Sequence, residues 1–139
     1  HEAQRIAETV TVNGAIDISD GLLLDLSRMM QASGCGAEVD LAAVPIHPDA
    51  TAAAAADPAG EPPLNRALGD GEDFELLLSL PADHATQLLA TIADGRLAGW
   101  PGTPLRVIGR VVAGQGLVAL AKDGSRTPLP PTGYQHAFD

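Results

Sequence analysis

The sequence has 139 residues, of which 45% are hydrophobic, and a net charge of −10. This is the length of one domain, and the apolar share is enough for a core without disulfides or metals to hold it. The acidic balance excludes nucleic acid and anionic membranes as expected partners, because both bind basic surfaces. The single cysteine, Cys35, cannot form an internal disulfide, so we expect a cytoplasmic protein.

A strand followed at once by a helix is predicted near the N-terminus. Apolar β-branched residues at 10, 12, 16 and 18 alternate with Thr11 and Asp17, which is the period of a strand. Leucines and methionines at helical spacing then predict a helix over 22–33, and Gly34 suits its C-terminal end. Gly21 lies between the two elements and permits a sharp turn.

Three polar residues, Asp17, Ser19 and Asp20, lie at the corner between this strand and this helix. One interpretation is that Ser19 or Asp20 only caps the helix by accepting bonds from its first N–H groups. A cap needs one such residue, however, and the helix N-terminus favours phosphate while the carboxylates repel it. A hard cation resolves this conflict, because Mg²⁺ is commonly bound by one or two carboxylates and by phosphate oxygens.

The next predicted elements are peripheral. They are a short strand over 37–41 and an alanine-rich surface helix or mobile excursion within 49–63, with Asp49 as its expected cap. His47 lies in the same region and is interpreted as a solvated loop residue, because no second histidine stands at metal-ligand spacing.

A second acidic stretch, G-D-G-E-D at 69–73, lies between a short predicted helix over 64–68 and a predicted strand over 74–80. The even-numbered residues of this strand would fill one face and Leu77 the other, which is typical of a central strand covered on both sides. Composition alone favours a solvated acidic turn at 69–73.

The C-terminal half predicts an amphipathic helix over 81–93, a packing role for Trp100, strands over 105–112 and 117–121, and a hairpin at 122–125. Together the elements predict an α/β sandwich, with a mixed sheet of about five or six strands covered by the helices 22–33 and 82–93.

No run of residues is long enough to span a membrane. No Walker-type glycine loop precedes Lys122, the only lysine, so a P-loop kinase is excluded.

Three motifs of the sequence occur in the order found in thiamine-monophosphate kinases. They are D-I-S-D-G-L at 17–22, A-L-G-D-G-E-D-F-E-L-L at 67–77 and G-Y-Q-H at 133–136. Over essentially its whole length, the chain resembles the C-terminal domain of these enzymes, which belong to the aminoimidazole ribonucleotide synthetase superfamily. The resemblance implies that residues 1–139 are one such domain with the fold of that synthetase's C-terminal domain. It also implies an N-terminal ATP-binding domain of the same protein, which carries the contact of a homodimer.

The activity that the resemblance implies is transfer of the γ-phosphoryl group of ATP, the co-substrate, to thiamine monophosphate. Asp17 and Asp20 would hold Mg²⁺, and Ser19 would meet the nucleotide phosphates. Glu72 and Tyr134 would contact thiamine monophosphate. No catalytic base is required, because the acceptor is already a phosphate anion and positioning with charge neutralisation can carry the step. The isolated domain is expected to be inactive.

The sequence departs from the family pattern at several positions. Asp70 stands where the family commonly has glycine, Phe74 where it has tyrosine, and Gln135 where it usually has aspartate; Ala137 is inserted before Phe138. The lost hydroxyl suggests that Phe74 mainly packs. The added charge of Asp70 would alter the loop or its affinity for metal.

Two alternative functions stay open. One is a sister ATP-dependent synthetase of the same superfamily, whose motif at the helix mouth would differ from D-I-S-D-G. The other is a non-catalytic binding domain that retains the fold, against which the intact Asp17, Ser19 and Asp20 argue. Nucleotide-dependent product formation by the full-length protein separates these functions.

Overall fold

The computed structural model of the chain describes residues 1–121 and 123–134. Its helices are α1 (Glu2–Thr9), α2 (Leu22–Ser33), α3 (Pro48–Ala56), α4 (Pro63–Gly69) and α5 (Ala82–Ala93). Its strands are β1 (Gly14–Asp17), β2 (Gly36–Val39), β3 (Leu76–Ser79), β4 (Gly109–Val112), β5 (Gly116–Leu120) and β6 (Arg126–Pro128). In this part of the chain, no helix combines the length and the apolar character that crossing a membrane requires.

The strands form two sheets rather than one. β1 and β3 pair antiparallel, with Asp17 opposite Leu76. β2 lies between β4, which is antiparallel to it, and β5, which is parallel, and β6 continues the second sheet beside β5. The predicted α/β class and the number of strands are therefore confirmed, but the expected single mixed sheet is divided.

The larger core lies between α2 and the two sheets. Leucines of α2 pack with Val39 of β2, Leu117 of β5 and Leu77 of β3. Leu23 is 2% exposed, and burying such a side chain contributes about 2 kcal/mol. Since α2 is held against both sheets, its first turn is fixed where β1 ends.

A second core contains Ile6 of α1, Leu88 of α5 and, from the loop after α1, Val10. Residues 10–18 were expected to form one strand, and this is wrong for its first part: Val10 is the extended C-cap of an unpredicted helix α1, and β1 begins only at Gly14. Trp100 packs against this core as predicted, and its Nε1 donates a hydrogen bond to the Thr103 carbonyl, 3.0 Å away.

β3 is shorter than predicted and lies between the two cores. Leu77 belongs to the larger core and Leu78 to the second, so the strand has apolar contacts on both faces as expected. Phe74, however, precedes the strand and is 70% exposed, and Leu76 is 41% exposed. Among the described residues β3 pairs with β1 alone, so it is not a central strand.

The alanine-rich segment forms the surface helix α3, which contains no buried residue, as predicted. Its cap is not Asp49. His47 is the N-cap, and its Nδ1 accepts a hydrogen bond from the Asp49 N–H at 3.2 Å. The predicted hairpin joins β5 to β6, and Asp123 Oδ1 accepts a bond from the Ser125 N–H at 2.9 Å; Lys122 lies outside the described residues.

Glu38 of β2 is a buried carboxylate, 5% exposed, between two arginines. Its Oε1 accepts a hydrogen bond from Arg126 Nε at 2.5 Å, and its Oε2 accepts one from Arg110 Nε at 2.6 Å. The bond from Arg126, and then that from Arg110, hold the pKa of Glu38 below its ordinary value, although burial acts in the opposite direction. This ion-pair cluster links β2 to β4 and β6 across the four-stranded sheet.

Candidate active site at the strand-to-helix corner

The three sequence motifs meet where β1 leads into α2. The Phe74 N–H donates to the Ile18 carbonyl at 2.9 Å, and the Glu72 N–H donates to the Ser19 carbonyl at 2.8 Å. The Tyr134 N–H donates to the Asp20 carbonyl at 2.7 Å. Segments that are far apart in the chain are therefore joined backbone to backbone along residues 18–20.

Glycine is required where these backbones touch. A Cβ atom on Gly71 would lie 2.5 Å from the Ser19 carbonyl oxygen, closer than real Cβ atoms approach. A Cβ atom on Gly21 would lie 2.7 Å from the Gly69 carbonyl oxygen, and Gly21 has a φ of 122°, which side chains disfavour. The glycines of the first two motifs thus permit the close approach of one motif to the other.

Asp17 and Asp20 both lie at this corner, but their carboxylates differ in their contacts. Asp17 ends β1 and is exposed, and no other described residue holds its carboxylate by a hydrogen bond or ion pair. The Asp20 side chain is 20% exposed, and its Oδ2 accepts a 2.5 Å bond from Arg28 Nη1. The capping interpretation is wrong, because the N-cap is Gly21 and no side chain caps α2.

Asp25, in the first turn of α2, was not singled out from the sequence and is 1% exposed. Its Oδ2 accepts hydrogen bonds from the Ser19 N–H at 3.0 Å and the Asp20 N–H at 2.9 Å, while its Oδ1 accepts one from Arg28 Nη1 at 2.7 Å. Hydrogen bonds to Asp20 and then Asp25 raise the pKa of Arg28, which stays charged. One sequence signal points to Asp25: a carboxylate within an apolar run of leucines must find polar partners when buried.

The acidic loop after α4 has an unusual backbone. Glu72 and Phe74 have positive φ angles of 67° and 54°, a conformation that costs non-glycine residues on the order of 1–3 kcal/mol. The prediction that Phe74 mainly packs is wrong, since it is largely exposed. The charge of Asp70 faces Arg66, 3.5 Å away. Desolvation, and then the charge of Asp70, raise the pKa of Asp73.

Tyr134 is brought to the corner by its backbone bond to Asp20, and its side chain is 61% exposed. Glu72 has an exposed side chain, and its backbone N–H is bonded to Ser19, the residue before Asp20. Backbone hydrogen bonds therefore bring Glu72 and Tyr134 to Ser19 and Asp20, and Asp17 lies two residues before Ser19, at the end of β1. The departures at Gln135 and Ala137 lie outside the described residues.

The donors at this corner suit a magnesium ion that is shared with other ligands. Within the described residues, no group of three or more His, Cys, Asp or Glu side chains is arranged to hold a metal ion. The corner offers the carboxylate of Asp17 and the Oδ1 atom of Asp20, whose Oδ2 is taken by Arg28. Because Mg²⁺ usually takes one or two protein carboxylates and completes its shell with water and phosphate, these residues fit it.

A family model described as AIR synthase related protein, C-terminal domain, matches residues 1–122. The chain belongs to this family. The chain is similar to the thiamine-monophosphate kinase of Rhodopirellula baltica, to which it is 37% identical over 134 residues. The match covers 96% of the chain but only 39% of that protein, so the chain spans about two fifths of its relative's length.

Solved structures confirm the expected fold of the AIR synthase related domain. The structure of AaThiL complexed with AMPPCP and TMP matches with a TM-score of 0.67 and 28% identity, over 91% of this chain and 34% of that one. HypE of E. coli matches with a TM-score of 0.73, over 96% of this chain and 38% of that one. Its identity is 21%, and this likeness shows the fold alone.

Proposed function

We propose that this chain is the C-terminal domain of a thiamine-monophosphate kinase and forms one part of a divided active site. The full enzyme transfers the γ-phosphoryl group of ATP to thiamine monophosphate and yields thiamine diphosphate. The observation that carries the proposal is the convergence of two distant motifs on residues 18–20 of the first motif through backbone hydrogen bonds. The likeness to the Rhodopirellula baltica enzyme and to AaThiL complexed with AMPPCP and TMP supports it.

The corner itself would handle the phosphates. Asp17 and Asp20 would hold Mg²⁺, since the Asp17 carboxylate and Asp20 Oδ1 are not bonded to other described residues. The bound ion supplies charge neutralisation for the transferring phosphoryl group. Ser19 contacts the nucleotide phosphates through its hydroxyl, because its backbone N–H is already bonded to Asp25.

Glu72 and Tyr134 would recognise thiamine monophosphate. A carboxylate and an exposed aromatic ring both attract a cationic heterocycle, and a cation over such a ring gains on the order of 1 kcal/mol. The backbone bonds of these residues to Ser19 and Asp20 bring them beside the proposed metal site. The acceptor phosphate is already an anion, so orientation of the reactants replaces a general base.

The remaining parts of the site would come from an N-terminal ATP-binding domain of the same protein, within a cytoplasmic homodimer. The chain has a net charge of −10 and eight basic residues, a balance that repels a triphosphate unless metal and further ligands intervene. The relative from Rhodopirellula baltica extends well beyond the matched segment, which covers 39% of its length. That length supports a second domain.

The test is product formation by the full-length protein that contains this chain. Purified enzyme is incubated with Mg²⁺ and ATP, and with thiamine monophosphate or unphosphorylated thiamine as acceptor. We expect thiamine diphosphate from thiamine monophosphate only, with one ADP released for each product molecule. A folded full-length protein that forms no thiamine diphosphate would contradict the proposal.

A further inference from the structure

Asp25 is a buried carboxylate to which the proposed reaction assigns no role. Its side chain is 1% exposed, and its three hydrogen bonds come from Ser19, Asp20 and Arg28. Each donor belongs to the corner or contacts it, since Arg28 Nη1 also bonds Asp20 Oδ2. A burial this deep leaves the carboxylate no solvent contact of consequence, so its partners set its environment.

These bonds change what the start of α2 attracts. Ser19 and Asp20 precede the N-cap Gly21, and unpaired N–H groups beside a helix N-terminus favour an anion. Asp25 accepts from both N–H groups and adds a negative charge beneath them. The backbone is then closed to phosphate, and the side chains of Asp17 and Asp20 are left to bind a cation.

Arg28 connects Asp25 to the side chain of Asp20. One nitrogen atom, Nη1, bonds Asp25 Oδ1 at 2.7 Å and Asp20 Oδ2 at 2.5 Å. This bridge holds the Asp20 carboxylate by one oxygen and leaves Oδ1 open. It also offsets one of the two negative charges that it contacts, so the acidic residues can lie close together without a metal.

We propose that Asp25 is a positioning residue that fixes the backbone of Ser19 and Asp20 and, through Arg28, orients Asp20 for the divalent cation. The inference rests on the proposed function, because that function requires the cation at this corner. Asp25 touches neither substrate nor metal. It acts through the residues that do, and removing such a supporting partner typically costs 10–100-fold in metal affinity.

The test uses Mn²⁺ as a spectroscopic probe for Mg²⁺ in the full-length enzyme with AMPPCP present. Asp25→Asn keeps the size of the side chain but turns one acceptor into a donor that faces other donors. We expect its Kd for Mn²⁺ to rise at least about tenfold and kcat to fall. The matched control is Asp94→Asn, in an exposed pair with Arg96, which should bind Mn²⁺ as the wild type does.

A second measurement needs no variant, in case Asp25→Asn does not fold. Amide hydrogen exchange of the wild type should show slow exchange at Ser19 and Asp20, which are bonded to Asp25, and faster exchange at Gly71, whose N–H has no partner among the described residues. Unprotected amides at Ser19 and Asp20 would overturn the inference. So would unchanged Mn²⁺ affinity in folded Asp25→Asn.

The two proposals fail in different ways. Wild-type enzyme that makes thiamine diphosphate, together with an Asp25→Asn variant of normal Mn²⁺ affinity, overturns the role of Asp25 alone. Wild-type enzyme that forms no product, although Mn²⁺ binds and depends on Asp25, overturns the proposed function and leaves the positioning role in place. Wild-type enzyme without saturable Mn²⁺ binding overturns both.

Discussion

Two buried carboxylates, Asp25 and Glu38, have similar burial and different partners. Glu38 accepts its bonds from the side chains of Arg110 and Arg126 on other strands, whereas Asp25 accepts two of its three bonds from backbone N–H groups of a loop. The first arrangement ties strands together. The second fixes the shape of a loop that carries acidic side chains. The partners of a buried charge, more than its burial, thus separate a residue that holds the fold from one that shapes a site.

We expect the largest effect from changes to the acidic side chains at the corner between β1 and α2. Asp17→Asn and Asp20→Asn in the full-length enzyme should each lower kcat by about 100-fold or more, because charge in the transition state loses its counter-ion. Neither residue belongs to the buried core, so circular dichroism and the melting temperature should stay close to those of the wild type. Near-normal kcat in both variants would contradict the metal assignment.

Variants of the recognition residues should give a smaller and more selective effect. Tyr134→Ala and Glu72→Gln are expected to raise the KM for thiamine monophosphate by about tenfold, which corresponds to about 1.4 kcal/mol, with the KM for ATP unchanged. Steady-state kinetics with each substrate varied in turn measures this. Equal increases in both KM values would indicate damage to the corner as a whole.

A change at the contact between two motifs tests whether their convergence matters. Gly71→Ala places a Cβ atom 2.5 Å from the Ser19 carbonyl oxygen, and such overpacking costs about 1–3 kcal/mol. The variant should therefore lose stability in urea and lose activity. Gly14→Ala is the control on β1, because the nearest atom, Met29 Sδ, would be 3.5 Å away. Equal behaviour of the two variants would mean that the close approach is unimportant.

Removing the charge of Glu38, the carboxylate that links the strands, should affect stability and leave kcat unchanged. Because the pKa of Glu38 is lowered in the folded state, its ion pairs contribute stability that is complete above the ordinary carboxyl range and is lost as pH falls through the folded pKa. Glu38→Gln should therefore melt below the wild type at pH 7, and the difference should shrink in acid. A melting difference that is independent of pH would contradict the role of the charge.

Local patterns were sufficient to predict part of this molecule. Helix α2 begins and ends where the apolar spacing and Gly34 predicted. The roles of the five site residues rest on their motifs and stay predictions, but Gly71 shows that the second motif needs a glycine where it touches Ser19. Helix α2 and the motifs are both indicated by residues that lie close together in the sequence.

Other features depend on contacts between distant residues. The short helix α1 buries Ile6 alone, so only one large apolar residue marks it in the sequence. Residues 10–18 alternate like a strand, yet Val10 packs in the second core, and within the described residues only Gly14–Asp17 of this segment pairs as a strand. The hydrogen bonds of Asp25 form only because the backbone of Ser19 and Asp20 lies beside it, and no neighbouring residue indicates the positive φ of Phe74.

The divided active site is tested most directly by the isolated 139-residue chain, assayed alone and with the proposed N-terminal domain added covalently or in trans. The chain has two packed cores and should melt cooperatively. Alone, it should form no thiamine diphosphate from thiamine monophosphate and ATP, and addition of the N-terminal domain should restore ATP-dependent product formation. Turnover by the chain alone would contradict the divided site.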